Sequence, residues 1–170
     1  MRARDMHRLP IPPVLVEDVV RRGDQRGREL GFPTANLPVG HDLVRQDGVW
    51  AGVVHLPAGF GGSSWIAAIS IGRRPTFYGR DGIRLLEAHL VGFRGDLYGS
   101  AIQVELHEHL RPMRAFGDAG ALIDQLRLDV EGARSWARRS GLGDLLRPLA
   151  HASAATGRAW RSTEQPEGIR

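Results

Sequence analysis

The chain has 170 residues, 42% hydrophobic and 25% charged, a balance that supports one buried core without covalent staples. It has no cysteine, which excludes disulfides, thiolate metal sites and cysteine nucleophiles. The net charge is +4, and all 23 basic residues are arginine, so any basic contact to an anion falls to Arg or His.

Acidic residues are interleaved with the arginines, which reads as compositional bias rather than a nucleic-acid footprint. No apolar run approaches the ~18 residues of a membrane span. The first 13 residues lack the apolar stretch of a signal peptide, so a cytoplasmic protein is expected.

In chain order, residues 1–13 are rich in Arg and Pro and read as a flexible arm, followed by a folded part over 14–150. Strand-like runs occupy residues 14–21, 49–56 (VWAGVVHL), 65–71 (WIAAISI), 85–93 (LLEAHLVGF) and 102–110 (IQVELHEHL). Clusters of Gly, Pro and Asp separate them at 38–40, 46–48, 57–64, 79–82 and 95–99. Short strands with regular turns and no helical crossover predict a small antiparallel barrel. The period then changes. Leu122, Ile123, Leu126, Val130, Ala133 and Trp136 or Ala137 predict one buried stripe on a long helix, started by Asp118 and ended by Gly141. A second short helix is expected around 143–149, and residues 151–170 read as a flexible tail.

Residues 23–36 read GDQRGRELGFPTAN. Gly23, Gly27 and Gly31 recur every four residues, with Arg26 and Arg28 beside them. Glycines let backbone N–H groups approach an anion, and arginine offers a fork for phosphate oxygens. A Gly-rich hairpin loop explains the same spacing without a ligand. The stretch is neither a Walker A loop nor the dinucleotide fingerprint, for it lacks the ending of one and the spacing of the other. Within FPTAN, Pro33 holds Phe32 extended, and Thr34 and Asn36 place their oxygens on one side. Two such oxygens suit a hard cation shared with phosphate; a turn in which Asn36 bonds its own backbone is the alternative.

Glu87 interrupts an apolar run, where a carboxylate is costly unless paired or functional. It shares a strand face with Leu85 and His89, which also reads as the wet face of a half-exposed strand. Glu105, His107 and His109 alternate on another strand and read as a polar face rather than a metal site. LRPMRAF, at residues 110–116, sets Arg111 and Arg114 before Phe116 on a loop ahead of the long helix. Arginine suits phosphate and phenylalanine a flat ring; a basic turn with a helix staple is the alternative.

Together these stretches resemble the riboflavin kinase (flavokinase) family. The motifs stand in family order: GDQRGRELGFPTANL at 23–37, DGVWAG at 47–52, SIGRRPTF at 70–77, LLEAHL at 85–90, GDLYG at 95–99, LRPMRAF at 110–116 and LIDQLRLDVEGAR at 122–134. The resemblance implies a mainly β fold, a six-stranded antiparallel Greek-key, split-barrel-like barrel with a long C-terminal helix. It implies transfer of the γ-phosphoryl of MgATP to the 5′-hydroxyl of riboflavin, giving FMN and ADP. On the matching positions, Glu87 would be the catalytic base, and Thr34 and Asn36 the Mg²⁺ ligands. Gly23, Arg28, Thr34, Leu90 and Tyr98 would lie toward ATP, and Arg111, Arg114 and Phe116 toward the flavin. The expected partners are thus riboflavin or FMN and ATP or ADP, with no nucleic acid and no membrane, and the chain is expected to be a monomer.

Two departures stand out. Asp18 replaces a glycine usual near the end of the first strand. The adenylyltransferase domain often fused to this kinase, with its HxGH-type motif, does not appear, so FMN without FAD is expected. The competing readings are a non-catalytic flavin- or nucleotide-binding module on the same barrel, and a basic nucleic-acid-binding barrel.

Overall fold

The computed structural model describes residues 13–61, 63–73 and 84–146. Residues 1–12 of the expected arm, the RPTF end of SIGRRPTF, the turn at 79–82, residues 147–150 of the expected folded part and the tail lie outside the described residues.

Alternation of side chains fixes which face of each strand is buried. It is plainest in β5 (Arg84–Leu90), where Leu86, Ala88 and Leu90 are buried and Leu85, Glu87 and His89 are only half-buried. The other strands are β1 (Val14–Val19), β2 (Ala35–Val39), β3 (Gly48–His55), β4 (Ser64–Arg73) and β6 (Ala101–Arg111). They form one six-stranded sheet in the order β1-β6-β3-β4-β5-β2, every neighbouring pair antiparallel. The Arg21 N–H donates to the Asn36 carbonyl at 2.8 Å, so the chain just past β1 meets β2 and nearly closes the barrel.

Inside the barrel, Leu37, Val54, Ile69, Ile71, Leu86, Ile102, Val104 and Leu106 form one core. A second core lies outside, where Ala51 and Val53 of β3 and Ile66 and Ala68 of β4 pack against Ala133, Trp136 and Ala137 of α2 (Ala119–Arg139). Asp118 caps α2 as expected, its Oδ1 accepting from the Ala121 N–H at 2.8 Å. At the other end, Gly141 takes φ +73°, and the Leu142 N–H donates to the Ala137 carbonyl at 2.8 Å, closing the helix in a Schellman turn. Among the described residues, no helix is long and apolar enough to cross a membrane.

The structure differs from the sequence expectation in four places. The strand β2 was not among the predicted runs. It holds Pro38, which a terminal strand of the sheet tolerates because one edge needs no ladder donor. β5 stops at Leu90 rather than 93, since Gly92 turns the chain at φ +80°. The Gly-rich stretch is not a simple hairpin loop; it winds one helical turn, α1 (Arg26–Glu29), entered by Gln25 at φ +57°. The second short helix is a single 3₁₀ turn, Gly143–Leu146, in its described part.

The polar face of β6 recruits a residue from elsewhere. Glu105 accepts from His55 at 3.0 Å and from His107 at 2.8 Å. Burial acts to raise its carboxyl, but the hydrogen bonds from the two histidines outweigh this and hold it below the usual carboxylate range. His109 packs instead edge-on against Trp50, ring centres 5.0 Å apart. Among the described residues, no group of three or more such side chains has the geometry to hold a metal. Asp18 pairs with Ile102 in the β1–β6 ladder, and its side chain accepts from the Val19 N–H.

Replacing the exposed cap of α2, Asp118→Ala, is expected to lower stability by about 1 kcal/mol. Urea unfolding would show this as a lower midpoint at unchanged slope; an unchanged midpoint would remove the cap from the stability of α2.

Candidate active site

The site grows from a row of cross-strand partners. Asn36 of β2 lies directly opposite Glu87 of β5, and Glu87 lies opposite Ser70 of β4. Opposed residues in antiparallel strands carry their Cβ atoms about 4.5–5.5 Å apart on the same face. Leu37 and Leu86 face the core, so Ser70, Glu87 and Asn36 form a polar row on the outer face.

Asn36 is only 6% exposed, and its Oδ1 has no hydrogen-bond partner among the described residues. Its Nδ2 reaches the Thr34 carbonyl at a long 3.5 Å. A buried amide oxygen left without a donor is costly, and a hard cation satisfies it as well as a donor does. Space for the Asn36 amide exists because position 23 is glycine: a Cβ there would stand 2.7 Å from Asn36 Nδ2. A Cβ on Gly27 would stand 2.5 Å from the Phe32 carbonyl oxygen. The loop folds tightly on itself there, the Phe32 N–H donating to the Gly27 carbonyl at 2.7 Å.

Two cavities meet at Gln25, Thr34 and Asn36. The first runs over the outer face of the sheet, past Val49, Ala68, Ser70 and Glu87, to the loop of Met113, Arg114 and Phe116. Leu122, Leu126 and Val130 of α2 form its far wall. The stripe of α2 is therefore buried only in its second half, while its first half stays half-open to this slot. The second cavity is bounded by Arg28 of α1, Leu90 of β5, and the turn carrying Phe93, Asp96 and Tyr98. Tyr98 is held from two sides: the Arg22 guanidinium lies 5.2 Å from its ring centre, and its N–H donates to Asp96 at 3.0 Å.

The structure brings most of the expected site residues together. Glu87, Arg111, Arg114 and Phe116 line the first cavity, Arg28, Leu90 and Tyr98 the second, and Thr34 and Asn36 both. Gly23 lies against Asn36 rather than on a cavity wall. Arg111 differs in kind from Arg114. Its Nε and Nη2 donate to the Asp129 carboxylate at 2.8 and 2.7 Å, and its Nη1 donates to the Pro112 carbonyl at 3.0 Å. Gln125 adds a third bond to Asp129 at 2.9 Å. Arg111 thus spends its donors on anchoring the loop to α2, while Arg114 lies over Phe116 at 4.8 Å.

Sequence reasoning missed Ser70, Asp129 and His89. Asp129 carried a signal, because it falls between Leu126 and Ala133 on the inward stripe of the helix, where a carboxylate must be paired. Ser70 carried none without the strand register. The His89 ring donates to the Pro33 carbonyl at 2.9 Å and meets Phe32 edge-on at 5.5 Å. Burial lowers its basicity, so the imidazole is held toward the neutral form.

A family model described as Flavokinase, riboflavin kinase, matches residues 11–137. The bifunctional riboflavin kinase/FMN adenylyltransferase of Pseudomonas fluorescens is 37% identical over 128 residues, which is 75% of this chain and 40% of that protein. The chain thus spans well under half the length of the curated relatives it matches. A crystal structure described as a macrolide-efflux protein from Streptococcus pneumoniae superposes with a TM-score of 0.59 at 30% identity, covering 73% of this chain and 39% of that one. A riboflavin kinase from Trypanosoma brucei shares the fold, with a TM-score of 0.55 at 24% identity, covering 81% of this chain and 87% of that one. With a family match over most of its length, and the matching motifs gathered around two joined cavities, this chain belongs to the riboflavin kinase (flavokinase) family.

Proposed function

We propose that the chain transfers the γ-phosphoryl group of ATP to the ribityl 5′-hydroxyl of riboflavin, giving FMN and ADP. The observation that carries this reading is the meeting of the two cavities at Thr34 and Asn36, one strand away from Glu87. One cavity is a slot with apolar walls, suited to a flat ring system. The other is flanked by Arg28 and Tyr98, suited to a nucleotide. A phosphoryl group passing between ligands in the two would cross at Thr34 and Asn36.

Phosphoryl transfer asks a protein for alignment and charge neutralisation more than for covalent chemistry. Glu87 orients the 5′-hydroxyl and takes its proton as the new O–P bond forms and the bond to the β-phosphate bridging oxygen breaks. Arg28 sits where it can meet phosphate oxygens from the nucleotide side. The Arg111–Asp129 pair holds the loop from which Arg114 and Phe116 cover the flavin. The Thr34 hydroxyl and Asn36 Oδ1, which has no hydrogen-bond partner among the described residues, fit a hard cation and would hold Mg²⁺. When bound, that ion supplies positive charge to the phosphate oxygens.

The direct test is incubation of the chain with riboflavin and MgATP, with and without chelator, resolving FMN and FAD by chromatography. Metal-dependent FMN with no FAD is the expected result. Quenching of riboflavin fluorescence without FMN would favour the non-catalytic flavin-binding module, and neither signal would reject both.

Glu87→Gln is expected to lower kcat by about 10²–10⁴-fold while riboflavin affinity stays within about threefold. Near-parental turnover would remove Glu87 from the reaction. Asn36→Ala is expected to raise the Mg²⁺ concentration for half-maximal rate by roughly tenfold or more. An unchanged metal titration would count against Asn36 as a ligand.

A further inference from the structure

Thr34 stands just outside the regular ladder: β2 begins at Ala35, and Ala35 pairs with Ala88. The peptide that leads into Thr34 is therefore not held by the β2–β5 hydrogen bonds. It is held from the side, where the His89 Nδ1 lies 2.9 Å from the Pro33 carbonyl oxygen. A carbonyl oxygen only accepts, so Nδ1 carries the proton and donates. His89 lies two residues from Glu87 on the same face of β5, and both line the first cavity. The ring is fixed a second way by its edge-on contact with Phe32, the residue before Pro33.

We propose that His89 is the positioning residue that sets Thr34 against Glu87, its Nδ1–H pinning the Pro33–Thr34 peptide to the strand that carries the base. One rigid strand then fixes both the group that orients the hydroxyl and the oxygen expected to face the phosphates. In-line transfer is sensitive to such placement, since an error of about 1 Å far from the reacting atoms can cost on the order of 10²-fold in rate. This inference rests on the proposed kinase reading for its catalytic consequence, but the hydrogen bond itself can be tested without it.

The test compares His89→Leu, which fills similar space without a donor, with His89→Asn, whose amide nitrogen can donate from near the Nδ1 position. Leucine is expected to lower kcat by about 10–100-fold and to raise the Mg²⁺ requirement, with riboflavin affinity within about threefold. Asparagine is expected to restore kcat to within about fivefold of the parent chain. Equal losses in both variants, or full activity in the leucine variant, would overturn the proposal. If the parent chain makes no FMN, the kinase reading fails on its own, and the positioning role is judged by nuclear magnetic resonance. Nitrogen shifts of His89 should then report the Nδ1–H tautomer, and the Thr34 amide should move in His89→Leu and recover in His89→Asn. An Nε2–H tautomer, or an unmoved Thr34 amide, would defeat it.

Discussion

The site depends on one register, the pairing of β2 with β5 that sets Asn36 opposite Glu87. Strand pairing has a side-chain period of two, so a slip of one residue would carry Asn36 into the barrel and Leu37 out of it. Leu37 and Leu86 are fully buried in the core, and their burial is what makes that slip expensive. The apolar interior thereby fixes the positions of polar groups on the outer surface. The register of the polar row is thus specified by the core and not by the row itself.

The first cavity exists because α2 covers only part of the sheet. Ala133, Trp136 and Ala137 seat the second half of the helix against β3 and β4. The first half stands off, and Leu122 and Leu126 face a slot instead of a packed neighbour. Something must hold the helix at that distance, and the Arg111–Asp129–Gln125 cluster lies at the junction. A partly buried ion pair is a poor source of net stability, but its bidentate geometry fixes the angle between loop and helix. That rigidity suits a slot that has to stay open without collapsing onto its apolar walls.

Much of this was legible in the residues, and the rest was hidden for identifiable reasons. The alternation in LLEAHL set Leu85, Glu87 and His89 on one face and Leu86, Ala88 and Leu90 on the other, and the structure buries the second set more deeply. The helical period, its cap at Asp118 and its stop at Gly141 were equally plain. β2 was obscured because Pro33 lies just before it and Pro38 lies within it, which breaks the usual strand pattern. The one-turn helix α1 was obscured by its glycines, which favour turns when nothing else is known. Ser70 and the His55–Glu105 contact depend on which strands are neighbours, and sequence periodicity carries no information on strand order. Asp129 was readable as an inward carboxylate, but its partner Arg111 lies 18 positions away and is found only by folding the chain.

The glycines of residues 23–31 take on a different meaning once the loop is folded. Their spacing suggested backbone donors for an anion, yet Gly23 and Gly27 are needed first for close approach within the protein. Gly23 makes room for the Asn36 amide, and Gly27 lets the Phe32 carbonyl come near. Phe32 in turn meets His89, whose strand carries Glu87. The loop that borders the second cavity is therefore tied, contact by contact, to the strand that borders the first. A larger side chain at Gly27 would press on the Phe32 carbonyl and, through it, on the segment that leads to Thr34. The glycine pattern is thus a condition for the geometry where the cavities meet, whatever its backbone also offers to a phosphate.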